Sequence, residues 1–266
     1  MTPVPQGAGV FVLAGPRPLT DSRVNHRFAA VLAAASGIGP TIRLGPRVTD
    51  TLPTTAQRPP RTMSREARRI QLMESTIETL AARGFSRTTL TEVAKAAGLS
   101  HGLVLFHFET KEKLLSETLA YLADEYHQNW QDALARVGDD PAEQLNAMLE
   151  ADFLPTICTP ARLAAWCAFW GEAQSRPLYQ QACAQKDDAY KDKLEEICAR
   201  LSDAGGYGRN VVHVARLLRI STEGVWLDMM TLAEPYALDE ALATVRTCAA
   251  LCFPDHFDAT GPKRRG

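Results

Sequence analysis

Two groups of residues in this chain have types and spacings suited to chemistry. The first is the run from Thr89 to Phe108, TLTEVAKAAGLSHGLVLFHF in one-letter code. Thr89 to Glu92 form a capping box that starts a helix. Ala94 and Ala97 are small enough for two short helices to cross closely, and Gly98 supplies the positive φ of a tight turn without steric cost. Leu99 plugs the wedge between the helices. Val104 and Phe108, four apart, anchor the second of them on a core. Gly102, Leu103 and Phe106 then lie on the opposite face, flanked by His101 and His107. A short helix presented in this way fits the major groove of DNA, with its N-terminal residues toward base edges. A generic helical hairpin would need the same caps and turn.

The second group is aromatic. Trp166, Phe169 and Trp170 recur at i, i+3 and i+4, and Trp226 follows in Glu223-Gly-Val-Trp226. Aromatic faces attract quaternary ammonium ions by about 0.5–2 kcal/mol per contact. Glu172, Glu223 or Asp228 could add a negative charge. Plain core packing uses the same stripe.

Other chemistries are excluded. The six cysteines form no CxxC pair and meet no histidine at metal-finger spacing, so they read as small apolar residues in a reducing, cytoplasmic protein. No metal or cofactor is expected. There is no Gly-rich phosphate loop, nucleophile elbow, HExxH or paired-carboxylate setting, so the chain does not read as an enzyme.

These residues must be positioned by helices. Residues 1–62 are rich in Pro, Gly, Thr and Arg and lack sustained periodicity, which predicts disorder. They form a basic tail or a transit peptide, or translation starts at Met63. From Ser64 the pattern is helix after helix. Ser64 caps the first, with Ile70, Met73, Ile77 and Leu80 on one face and Gly84 past its end. The second and third helices carry the run described above, the third from Ser100 to Phe108. A long helix starts at Thr110 and ends near Arg136. Apolar-periodic runs then cover about 142–157, 161–174, 177–202, 209–232 and 238–252. Residues 254–266 read as a flexible tail. The fold class is all-α: a head at 63–115, a larger helical body at 116–253, and no membrane span. Charge follows this division, with balances of +5 over 1–62, +2 over 63–115 and −9 over 116–266. An anionic partner therefore meets the N-terminal half.

At this point the chain resembles the TetR family of bacterial repressors. The matching residues are Thr89, Val93-Ala94, Ala97-Gly98-Leu99-Ser100, Phe106-His107-Phe108 and Lys111-Glu112-Lys113-Leu114-Leu115. The family often has Tyr where Leu105 stands, and Leu105 cannot offer a hydroxyl to a phosphate. The resemblance implies a DNA-binding set. Thr89 presents the amide end of its helix to a phosphate, and Thr91 touches the DNA. Ser100, His101 and Leu103 face the groove edge, where His101 donates to a base and Leu103 meets a thymine methyl. His107 and Lys111 anchor the backbone. Arg65, Arg68 and Arg69 either add phosphate contacts or form a solvated basic face.

The body, through Ala164 to Gly171, Arg176-Pro-Leu-Tyr179 and Glu223-Gly-Val-Trp-Leu227, resembles the choline- and betaine-aldehyde-responsive, BetI-like branch. That likeness implies a ligand site at Trp166, Phe169, Trp170 and Trp226, with choline or betaine aldehyde as effector. It also implies a homodimer on a palindromic operator, built through the last two helices. A repressor released by its ligand is the expected mode. An activator, or a regulator of efflux or catabolic genes answering to an apolar ligand, would use the same parts.

Overall fold

The computed structural model describes residues 63–172 and 176–263, with the side chain of Arg176 left aside. The expected disorder of residues 1–62 lies outside the described residues. Helix α1 spans Arg65–Arg83, α2 Leu90–Ala96 and α3 His101–Phe108. The long α4 spans Lys111–Ala135, followed by α5 Pro141–Asp152, α6 Pro160–Gly171, α7 Arg176–Gly205, α8 Val211–Thr231 and α9 Leu238–Cys252.

Local chemistry sets these boundaries. The Ser64 hydroxyl accepts from the Ala67 amide at 3.1 Å, Thr89 from Glu92 at 3.2 Å, Ser100 from Leu103 at 3.3 Å and Thr110 from Lys113 at 3.1 Å. Each satisfies an amide that the helix itself leaves unpaired, worth roughly 1 kcal/mol apiece. Asp140 accepts from both Ala142 and Glu143, with Pro141 in the first turn of α5. Gly84 and Gly98 close α1 and the α2–α3 turn at φ of 75° and 66°. Helix α5 stops at Asp152, five residues before the expected end. Leu154 precedes Pro155 and is pushed out of helical geometry, and Cys158 closes the turn onto the Leu154 carbonyl at 2.8 Å.

The apolar faces meet in three clusters. Leu72, Met73, Val93, Ala94, Val104, Phe108 and Leu114 hold α1, α2 and α3 on the start of α4. Ile77, Leu80, Leu115, Leu119, Ala165 and Phe169 join α1 and α4 to α6. The third and largest is formed by α5, α7, α8 and α9 around Leu145, Met148, Leu194, Ile197, Leu201, Leu218 and Val245. No helix among the described residues is long and apolar enough to cross a membrane.

The expected flexible tail is corrected over residues 254–263, and residues 264–266 lie outside the described residues. Residues 254–263 fold into a short antiparallel hairpin, with Phe257 paired to Pro262 and Asp258 to Gly261. Phe257 and His256 are buried. The Tyr207 hydroxyl hydrogen-bonds His256 Nδ1 at 2.8 Å and accepts from the Asp255 amide at 2.9 Å. Two aromatic rings within a stretch too short and polar to show a period were enough to fasten it.

Candidate functional site

The candidate DNA-facing surface lies on α2 and α3. On α3, His101, Gly102, Leu105 (39% exposed) and Phe106 (68% exposed) are open to solvent, and Leu103 is half-buried. Thr91 Oγ1 lies 3.3 Å from His101 Nδ1, which ties the start of α3 to α2. Thr89, Thr91 and Ser100 are exposed at the two helix starts. The Arg65 guanidinium stands 6.0 Å from the Phe106 ring centre.

His107 is corrected. It is only 5% exposed and turned into the head, with Nδ1 buried and without a hydrogen-bond partner. Burial, then the charges of Arg69, Arg65 and Arg68, holds its pKa below the ordinary histidine value. It is thus packed inside the head rather than placed as a phosphate anchor. The α3 face runs through 101, 102, 105 and 106, which leaves position 107 inside. Arg69 is also structural. It donates to the His107 carbonyl at 2.7 Å, pairs with Glu117 and lies 4.5 Å over the Phe108 ring. Lys111 Nζ reaches the Phe85 and Ser86 carbonyls, each at 3.3 Å, so it fastens the α1–α2 loop from the start of α4.

In the body, a cavity of about 280 Å³ opens between α4, α6, α7 and α8. Trp166 and Trp170, one turn apart on α6, stack at 6.0 Å between ring centres and 29° between planes. The Tyr179 ring meets Trp166 edge-on at 6.4 Å. Tyr126, Tyr190 and Trp226 complete the aromatic wall. Tyr126 lies 5.7 Å from Tyr190 and 5.9 Å from Trp226. Asp187, Asp188 and Glu223 bring negative charge, while Lys191 and Arg219 bring positive charge. Both cations are engaged, Lys191 with Asp188 at 2.7 Å and Arg219 with Glu223 at 2.5 Å. Burial and the Glu223 charge raise the Asp187 pKa, and the Tyr179 hydroxyl offsets part of that.

Trp166, Trp170 and Trp226 therefore share one cavity, and Phe169 does not. Phe169 is 1% exposed in the cluster joining α6 to α1, edge-on to Phe85 at 5.8 Å. At 100° per residue, position 169 lies 60° to one side of Trp166 and Trp170 lies 40° to the other, so the expected single stripe splits. Of the acids considered, Glu223 lines the cavity, whereas Asp228 accepts from the Tyr236 hydroxyl at 3.1 Å. Tyr126, Asp187 and Tyr190 were not foreseen. They sit on long polar helices, where Asp187 and Tyr190 at i and i+3 were the available hint.

Comparison with known proteins agrees with this architecture. Residues 72–118 match the bacterial regulatory proteins of the tetR family, and residues 141–254 match the BetI-type transcriptional repressor C-terminal domain. The chain is 30% identical over 138 residues to the HTH-type transcriptional regulator BetI of Burkholderia thailandensis, covering 47% of this chain and 71% of that protein. It is 28% identical over 197 residues to BetI of Paraburkholderia xenovorans, covering 70% and 93%. A transcriptional regulator from Pseudomonas aeruginosa PAO1 superposes with TM-score 0.63 at 22% identity, over 73% of this chain and 93% of that one. One from Saccharomonospora viridis, solved in complex with choline, superposes with TM-score 0.57 at 17% identity, over 68% and 94%. The chain belongs to the TetR family of DNA-binding transcriptional regulators. Within that family, its C-terminal half is of the BetI type.

Proposed function

We propose that the protein is a repressor that binds a palindromic operator as a homodimer and leaves it when a small organic cation enters the α4–α8 cavity. Choline and betaine aldehyde are the first candidates, in keeping with the names of its relatives and the choline complex of the Saccharomonospora viridis protein. The observation that carries this reading is the cavity wall. Six aromatic side chains, Tyr126, Trp166, Trp170, Tyr179, Tyr190 and Trp226, surround a space holding Asp187 and Glu223. That is the chemistry of a quaternary ammonium site. At about 280 Å³ it suits a small ligand.

Thr89, Thr91, Ser100, His101, Gly102, Leu103, Phe106 and Lys111 form the DNA side in this proposal, with Leu105 added by its exposure. Val212, Leu217, Ile220 and Leu227 on α8 and Leu251 on α9 are exposed apolar residues suited to a two-fold helical interface. The site of action is the bacterial cytoplasm. Release requires only that the cation prefer the head spacing that does not fit DNA, with a coupling of about 1–3 kcal/mol.

Operator DNA selected from a random pool, followed by gel-shift release, tests this. Choline or betaine aldehyde should free the DNA, and 3,3-dimethyl-1-butanol, which puts carbon in place of the ammonium nitrogen, should not. Equal release by the neutral alcohol would make the site apolar and favour a regulator of efflux or catabolic genes.

A further inference from the structure

Beneath the cavity lies a charge that nothing described so far uses. Asp152, the last residue of α5, is 0% exposed. Its carboxylate accepts from the Tyr126 hydroxyl of α4 at 2.8 Å and from the Tyr190 hydroxyl of α7 at 3.2 Å. Its backbone carbonyl accepts from Trp226 Nε1 of α8 at 3.2 Å. Thr222 of α8 stands beside the carboxylate, without a hydrogen bond of ordinary geometry on its buried hydroxyl. Tyr126, Tyr190, Thr222 and Trp226 all line the cavity, so a single layer of side chains separates Asp152 from it.

The ionisable groups around Asp152 are Tyr126 on α4, Tyr190 on α7, Glu223 on α8 and Cys158 in the following turn. None of the basic side chains among the described residues pairs with it. Lys191 and Arg219, the nearest candidates across the cavity, are held by Asp188 and Glu223. An ionised carboxylate taken out of water costs several kcal/mol unless a cation accompanies it, and two phenol hydroxyls repay only part of that. Burial, reinforced by the Glu223 charge, accordingly lifts the Asp152 pKa to about 7 despite the tyrosine hydrogen bonds.

Resting on the cation-effector reading above, we infer that Asp152 is the missing half of an ion pair whose other half is the effector, and that a cation entering the cavity drives the Asp152 proton out to solvent. The cation is held from its sides by the aromatic rings and attracted from below by a carboxylate it never touches. Effector affinity then depends on pH through the operating range of a bacterial cell. Protonating Asp152 removes the negative charge beneath the effector and leaves only those of the cavity wall, Asp187 and Glu223 among them, so the protonated site binds more weakly than the ionised one. Affinity therefore falls as pH falls through about 7. A neutral ligand of the same shape is indifferent to this.

Calorimetric titration of the full chain with choline chloride at pH 7, in two buffers of different ionisation heat, measures the proton directly. On the order of half a proton should leave per choline bound, and the dissociation constant should rise about tenfold from pH 8 to pH 6. Asp152→Asn keeps the shape but exchanges one accepting oxygen for a donating amide, so one of the two tyrosine hydroxyls must turn to accept. It should bind choline more weakly, release less of a proton and lose most of the pH dependence, the remainder belonging to Asp187 in the cavity wall, while binding of 3,3-dimethyl-1-butanol stays unchanged. Tyr190→Phe removes one donor from the carboxylate and should move the pH midpoint upward, which keeps the test open if Asp152→Asn does not fold. A pH-independent dissociation constant in the wild type, or undiminished proton release in Asp152→Asn, overturns the inference and leaves the cation reading intact. Absence of binding by choline, betaine aldehyde and tetramethylammonium alike overturns both.

Discussion

Asp152 also has a consequence for stability. Its pKa is raised on folding, so the native state holds a proton that the unfolded chain loses from about pH 4 upward. The sign follows. The proton-linked stability is fully present below the unfolded-state pKa of 3.8 and is lost as pH rises through about 7. Asp152→Asn carries no such linkage. By scanning calorimetry its melting temperature should exceed that of the wild type at pH 8, and the gap should shrink toward pH 5. On the DNA side, His101→Ala and Phe106→Ala should narrow the preference for operator over random DNA, by about 1–3 kcal/mol for each lost base contact, with the salt dependence unchanged. Lys111→Ala should weaken binding to every sequence alike, both through a lost charge near the backbone and through a loosened Phe85–Ser86 loop. Equal loss on operator and random DNA in all three variants would refute this division of roles.

At the scale of elements, α6 reaches both the cavity and the head. Trp166 and Trp170 form one wall of the cavity, while Phe169 and Arg162 on the same helix face the head. The Arg162 guanidinium grips Glu125 of α4 at 2.7 and 2.8 Å and Glu74 of α1 at 2.9 Å, and the Tyr121 hydroxyl donates to Glu74 at 2.7 Å. A shift of α6 against α4 must therefore strain its hold on α1. Arg162→Met should leave choline affinity close to wild type yet blunt choline-driven release of operator, read as separate titration and gel-shift measurements. Undiminished release would place the coupling elsewhere. The helices and their caps were legible in the sequence because caps, turns and periods are local chemistry. Ser64, Thr89, Gly98, Ser100 and Asp140 each act within four residues of themselves. What failed was phase and depth. Positions 107 and 169 sit one step around a helix from the faces assigned to them, and only the neighbouring helix decides that step. Asp152 at the end of an amphipathic helix reads as a surface residue until α7 and α8 close over it.

At the scale of the whole molecule, the exposed apolar residues of α8 and α9 set the last expectation. Leu217→Asp combined with Leu251→Asp places charge in the face proposed for the two-fold interface, and sedimentation should then show a monomer that no longer holds a two-half-site operator. A dimer that survives both changes would move the interface off these helices. The placement of the indoles has a consequence of another kind. Trp130, Trp166, Trp170 and Trp226 are the four tryptophans of the chain, and all lie on α4, α6 and α8, with none between Met63 and Leu115. The protein's intrinsic emission is consequently blind to the head. Operator DNA can alter it only by changing the body from a distance. By reciprocity, whatever factor choline takes from operator affinity the operator must take from choline affinity. A change in emission on adding operator alone, with no effector present, would thus be an optical record of that coupling.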